Sequence, residues 1–155
     1  KNQDTFRVYN VHLQSIRLQQ EDYSVFEDGA NEVAEKKSTI RLLVDKLLIA
    51  YPKRADQART VAEHIETSPY PTIVCGDFND TPMSYAYNQF NKKLIDAFRN
   101  CSFGIGTTYV GKVPAGRIDY IFHSPELKSS NFVIQKVAFS DHRAISCKIY
   151  KDTLN

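Results

Sequence analysis

The apolar, β-branched run Thr72-Ile73-Val74-Cys75 passes directly into Gly76-Asp77-Phe78-Asn79. Such a run, bounded by turn-forming residues, reads as a buried strand that ends in a loop. It delivers a carboxylate and a carboxamide two residues apart at the strand's end. If the extended geometry persists, Asp77 and Asn79 point to the same side, because strand side chains alternate. A paired acceptor and amide there can hold a water, a metal or a phosphate. The same pair can equally form an Asx-turn that caps its own backbone.

Strand-like and helix-like segments alternate around this run, which argues for a layered α/β domain. Phe6–Leu13 has strand composition, and Gln14–Gly29 is polar and irregular apart from Tyr23 and Phe26. From about Asn31 a helical period sets in, with Ile40, Leu43, Val44, Leu47, Leu48 and Tyr51 at spacings of three and four. Pro52 is expected to break or bend that helix. A second amphipathic stretch carries Ala58, Val61, Ala62 and Ile65 and ends near Ser68-Pro69. A short helix is predicted over Ser84–Asn91, and a Gly- and Thr-rich loop over Gly104–Thr108. Further strands are predicted near Arg117–His123, Phe132–Val137 and Ala144–Tyr150.

The length of 155 residues suits one domain. A hydrophobic fraction of 42% and a charged fraction of 25% are those of an ordinary globular chain. No segment approaches the roughly 18 consecutive apolar residues of a membrane span. The net charge of +2 shows no concentrated Lys/Arg face of the kind duplex binding uses, so nucleic acid is neither favoured nor excluded. Cys75, Cys101 and Cys147 have no metal-type spacing and cannot all pair with one another. Cys75 and Cys147 sit in apolar runs, where a thiol acts as a small buried hydrophobe.

Four groups of polar residues interrupt strands or their ends. Asn10 and His12 share a face of the first strand with Phe6 and Val8. Asp77 and Asn79 follow the central strand. Asp119 lies inside Arg117-Ile118-Asp119-Tyr120-Ile121-Phe122, and Ser140-Asp141-His142 opens the last strand. A buried carboxylate without a partner is costly, so Asp119 implies a cation, a protonated histidine or a metal nearby. Each group also has a bland reading. Asn10 can be a turn residue, His12 a satisfied core histidine, Asp119 a partner of Arg117, and Asp141 a turn initiator. Two His, three Asp and two Asn together at strand edges make those separate readings a large coincidence.

Asn10-Val11-His12-Leu13, Gly76-Asp77-Phe78-Asn79, Arg117–Phe122 and Ser140-Asp141-His142 resemble, in order, the motifs of the endonuclease/exonuclease/phosphatase family. Thr108-Tyr109 and Thr81-Pro82 are similar to further parts of its pattern. The family groups pancreatic-type deoxyribonucleases, abasic-site endonucleases, inositol-phosphate phosphatases, deadenylases and neutral sphingomyelinases. The resemblance implies a deoxyribonuclease-like four-layer α/β sandwich, two packed sheets flanked by helices. It implies a divalent-metal-dependent phosphoesterase that hydrolyses phosphodiesters or phosphomonoesters by direct attack of water. By that resemblance Asp77 orients or deprotonates the water, with Asn79 beside it. His142 donates to a phosphate oxygen and is oriented by Asp119. His12 is a second phosphate-contacting histidine, Asn10 and Tyr109 stand on the substrate side, and Asp141 is a carboxylate of a Mg2+ or Mn2+ site.

One departure is large. The family's principal metal-holding Glu lies in its first half, and only nine residues precede Asn10. Glu21, Glu27, Glu32 and Glu35 fall after the first His motif, in the wrong order. The chain is therefore expected to be the C-terminal portion of the domain, lacking its N-terminal strands and weakly active or inactive by itself. An uncovered sheet face, and dimerisation through it, would follow. The alternative is a non-catalytic binding or scaffolding module on the same fold. The substrate class stays open, because the members differ mainly in loops.

Overall fold

The computed structural model describes residues 5–16, 33–112, 115–137 and 139–151. In chain order the elements are β1 (Arg7–His12), α1 (Val33–Glu66), β2 (Thr72–Asp77), α2 (Tyr85–Asn91), β3 (Ile95–Asp96), α3 (Ala97–Cys101), β4 (Asp119–His123), β5 (Leu127–Ile134) and β6 (Ile145–Lys151). Four strands form a sheet in the order β1-β2-β4-β3, and β5 pairs with β6 in a second sheet. β1 and β2 run parallel, with α1 in the crossover that parallel neighbours need, while β4 is antiparallel to β2 and β3.

Alternation along the strands divides the four-stranded sheet into two faces. Val11, Val74, Tyr120 and Phe122 point to one side, where they form a core with Ala58 of α1, with Ala86, Tyr87 and Phe90 of α2, and with Phe78 and Leu94. Phe78 is fully buried, its ring centroid 4.6 Å from Phe90 and 4.9 Å from Tyr120. Burying a ring of this size contributes roughly 1.5–3 kcal/mol. The close approach of β1 and β2 requires Gly76, whose φ is +142° and whose side, with any Cβ added, would strike the Val11 carbonyl.

Three expectations change. Pro52 does not break the helix, since α1 runs through it from Val33 to Glu66. Pro52 is exposed, so the carbonyl its missing N–H leaves without a partner can turn to water. The stripe Ile40, Leu43, Val44, Leu47, Leu48 and Tyr51 is not a core face either. Leu43 and Leu47 are half-buried and the other four 46–64% exposed, whereas Ala58, Val61 and Ile65 in the second half pack on the sheet. Asn31, where the helical pattern begins, and Tyr23 and Phe26 lie outside the described residues. The strand expected at Phe132–Val137 instead spans Leu127–Ile134, with a register shift between Ser130 and Val133 and Asn131 at φ 52°. Its polar start is a strand because β6 pairs with it, which local composition does not reveal.

Arg117 is buried and bonds Asp96 Oδ2 at 2.7 Å, with its guanidinium 4.6 Å from the Phe98 ring centroid. It is therefore not the partner of Asp119. Asp96 also caps α3, accepting from Phe98 N at 3.0 Å. All three cysteines are free. Burial, reinforced by the neighbouring thiols Cys101 and Cys75, pushes the Cys147 thiol up to about 11.

Candidate active site

Strand register assembles the site. His12 pairs with Asp77 across β1 and β2, and Asp77 with Asp119 across β2 and β4. The last residues of two parallel strands and the first residue of an antiparallel one thus form a row at one end of the sheet. Cross-strand partners share a face, and this row stands on the face away from the helices. His12 Nε2 lies 3.7 Å from Asp77 Oδ2, with the His12 side chain 74% exposed. His12 is thus not a satisfied core histidine.

His142 joins the row from the segment before β6. Its backbone is fixed on both sides: Val110 N donates to Asp141 O and Arg143 N to Thr108 O, each at 2.7 Å. The Tyr109 ring meets the His142 ring edge-on, centroids 5.2 Å apart. His142 Nδ1 lies 3.0 Å from Asp119 Oδ2, so it donates there and leaves Nε2 on the side of Asp77, 4.0 Å from its Oδ2. Asp119 is held in turn by Thr108. The fully buried Thr108 Oγ1 accepts from Ile118 N and Asp119 N, both at 3.1 Å.

The extended geometry does not persist beyond Asp77, and Asp77 and Asn79 form the turn. Asp77 Oδ1 accepts from Asn79 N at 2.7 Å, which is an Asx-turn. Asn79, at φ 52°, also directs its amide nitrogen to Asp77 Oδ2 at 2.9 Å and Leu13 O at 3.0 Å. Phe78 between them anchors the turn in the core. Beyond it, Asp80 pairs with Arg54 Nη1 of α1 at 2.9 Å, both side chains buried, and Arg54 Nε donates to Gln14 O at 3.0 Å. The turn is clamped from the core, from α1 and from the end of β1.

Burial pushes the Asp77 carboxyl above its ordinary 3.8. The Asn79 amide pulls the other way, and the adjacent Asp119 charge adds to the rise. Asp77, Asp119 and His142 each present a ligand atom within 4.8 Å of the others. Two facing carboxylates with a histidine are a donor set that fits a hard divalent cation, which would also relieve the repulsion between them.

Of the residues singled out from sequence, His12, Asp77, Asn79, Asp119, His142 and Tyr109 come together. Asn10 is exposed one pleat back on the His12 face, and Asp141 is exposed and outside the three-residue donor group. Thr108 and the Arg54–Asp80 clamp carried no assigned role in the sequence. Thr108-Tyr109 was visible as a motif, but its anchoring of Asp119 was not.

Fold and site together define the class: a two-sheet α/β protein of the deoxyribonuclease-like phosphoesterase fold. A family model described as Endonuclease/Exonuclease/phosphatase family matches residues 8–142, and the chain belongs to that family. Its members are hydrolases. Among solved structures the chain is similar to the mannosyl-6-phosphatase of Bacteroides thetaiotaomicron, with 22% identity and a TM-score of 0.55 over 64% of this chain and 46% of that one. It is also similar to the human Nocturnin catalytic domain with bound sulfate, with 21% identity and a TM-score of 0.53 over 64% and 41%. Beta toxin from Staphylococcus aureus matches over 98% of this chain and 54% of its own, with 18% identity and a TM-score of 0.51. The chain spans about half the length of these proteins. No curated protein matches it.

Proposed function

We propose that this chain carries the water-activating part of a divalent-metal-dependent phosphoric ester hydrolase. The observation that carries the reading is the in-register row His12–Asp77–Asp119 closed by His142, whose tautomer Asp119 sets. Asp77 orients the attacking water and takes its proton; the burial that raises its pKa makes it a stronger base. His142 donates from Nε2 to a phosphate oxygen, and His12 approaches the same phosphate from β1. Asn79 holds the Asp77 carboxylate in place, while Tyr109 and Asn10 border the substrate. The carboxylates of Asp77 and Asp119, with Asp141 adjacent to His142 in the chain, would hold a Mg2+ or Mn2+ ion, which would supply positive charge to the phosphate. Fixed polar groups without a Ser or Cys nucleophile suit hydrolysis governed by positioning and electrostatics.

The whole protein is proposed to include the remainder of the sandwich. Phe6 and Val8, 38% and 62% exposed on the His12 face of β1, mark where that remainder or a second copy would seat. The test is hydrolysis of bis-p-nitrophenyl phosphate by the full-length protein with and without Mg2+. Asp77→Ala is expected to lower the rate by at least about 100-fold. Wild-type activity in that variant would remove Asp77 from the mechanism.

A further inference from the structure

A cleft of about 430 Å3 opens beside Asp119 and His142 and has no part in the steps above. Val137, Phe139, Ala144 and Ile145 give its lining an apolar part beside the polar Gln135 and Ser140, and Arg143 is the one Arg or Lys among its lining residues. Phe139 stands at the rim 98% exposed, and Val137 is 63% exposed. Arg143 Nε is shielded from water without a hydrogen-bond partner, and among the described residues no carboxylate pairs with this guanidinium.

We infer that this cleft is a substrate subsite, and that Arg143, Val137 and Phe139 select phosphate esters whose organic group is apolar, alkyl or aryl. The inference rests on the phosphoesterase reading. An ester whose phosphorus lies against His142 must send its organic group into adjoining space, and this cleft adjoins His142 directly. Its wall rewards an apolar group by removing it from water. Arg143, unpaired and adjacent, supplies charge for an oxygen of the ester. A polynucleotide needs a basic track beside its aromatic platforms, and Arg143 as the one Arg or Lys of the lining is not such a track, although Phe139 is aromatic.

The test uses the 15N-labelled full-length protein with Mg2+, titrated with inorganic phosphate, phenyl phosphate and a short oligothymidylate, following the amide signals of Val137, His142 and Ile145. Burying about half of a phenyl ring gives phenyl phosphate about tenfold tighter binding than inorganic phosphate. Phe139→Ser is expected to weaken phenyl phosphate at least about threefold more than inorganic phosphate, whereas Arg143→Gln is expected to weaken both. Equal affinity for the two phosphates would overturn the inference and leave the phosphoesterase reading standing. Binding of neither would overturn both. Tighter binding of the oligothymidylate on the same signals would replace the apolar ester by a nucleic acid.

Discussion

The two faces of the four-stranded sheet are built from the same strands and do opposite work. Toward the helices, Val11, Val74, Tyr120 and Phe122 close on Phe78, Tyr87 and Phe90 with ring centroids 4.6–6.0 Å apart. The other side carries His12 next to Val11, Asp77 next to Phe78 and Asp119 next to Tyr120, with Phe6 and Val8 in the open. Alternation of side chains makes this possible: each strand contributes an apolar residue to one face and a polar one to the other. Stability and chemistry are therefore separable by single substitutions, although the residues concerned are adjacent in sequence.

Substitutions on each face can break or sharpen this contrast. Phe122→Ala, on the helix face, is expected to have the largest effect, about 3–5 kcal/mol of stability lost in urea denaturation; a loss under about 1 kcal/mol would mean the aromatic cluster is not the core. Thr108→Val removes the acceptor of two backbone amides under Asp119 and is expected to lose about 1–3 kcal/mol. It should also move the His142 ring signals in NMR spectra, since Asp119, which His142 Nδ1 contacts at 3.0 Å, is displaced; unmoved signals would separate Thr108 from the site.

Asp77→Asn should lose activity without a matching loss of stability in metal-free buffer. The folded-state pKa of Asp77 is raised above 3.8, so the folded chain binds this proton more tightly than the unfolded chain. That contribution is complete below pH 3.8 and disappears as pH rises through the raised value. Wild type should accordingly lose stability relative to Asp77→Asn across that window, measured by denaturation at a series of pH values. A gain would reverse the assigned direction. Val8→Thr, on the open face, is expected to change stability by no more than about 0.5 kcal/mol. A larger loss that grows with protein concentration would show a second copy seated there.

Much of this was legible in the sequence. β1, β2, β4 and β6 are runs whose β-branched and aromatic residues declare them, and α2 follows a Ser84 cap that accepts from Tyr87 N. The chemically important residues could be named because a carboxylate or histidine in an apolar run has no packing reason to be there. The errors share one origin. β3, only Ile95-Asp96, and the five-residue α3 are too short for any period to show. β5 begins in polar residues that only β6 makes into a strand. The first half of α1 has a helical apolar stripe, yet a period says that one side is apolar and not that anything covers it.

The sequence by itself determined the alternation of strands and helices, the Asp77–Asn79 turn and the roster of polar residues, because each depends on neighbours a few positions away. Tertiary structure alone decided that Asp119 orients His142 while Arg117 pairs with Asp96, that Pro52 sits within one long helix, and that an apolar cleft adjoins the histidine. Those outcomes depend on strand register and on packing between segments distant in the chain, and a one-residue slip would turn Asp77 or Asp119 to the other face.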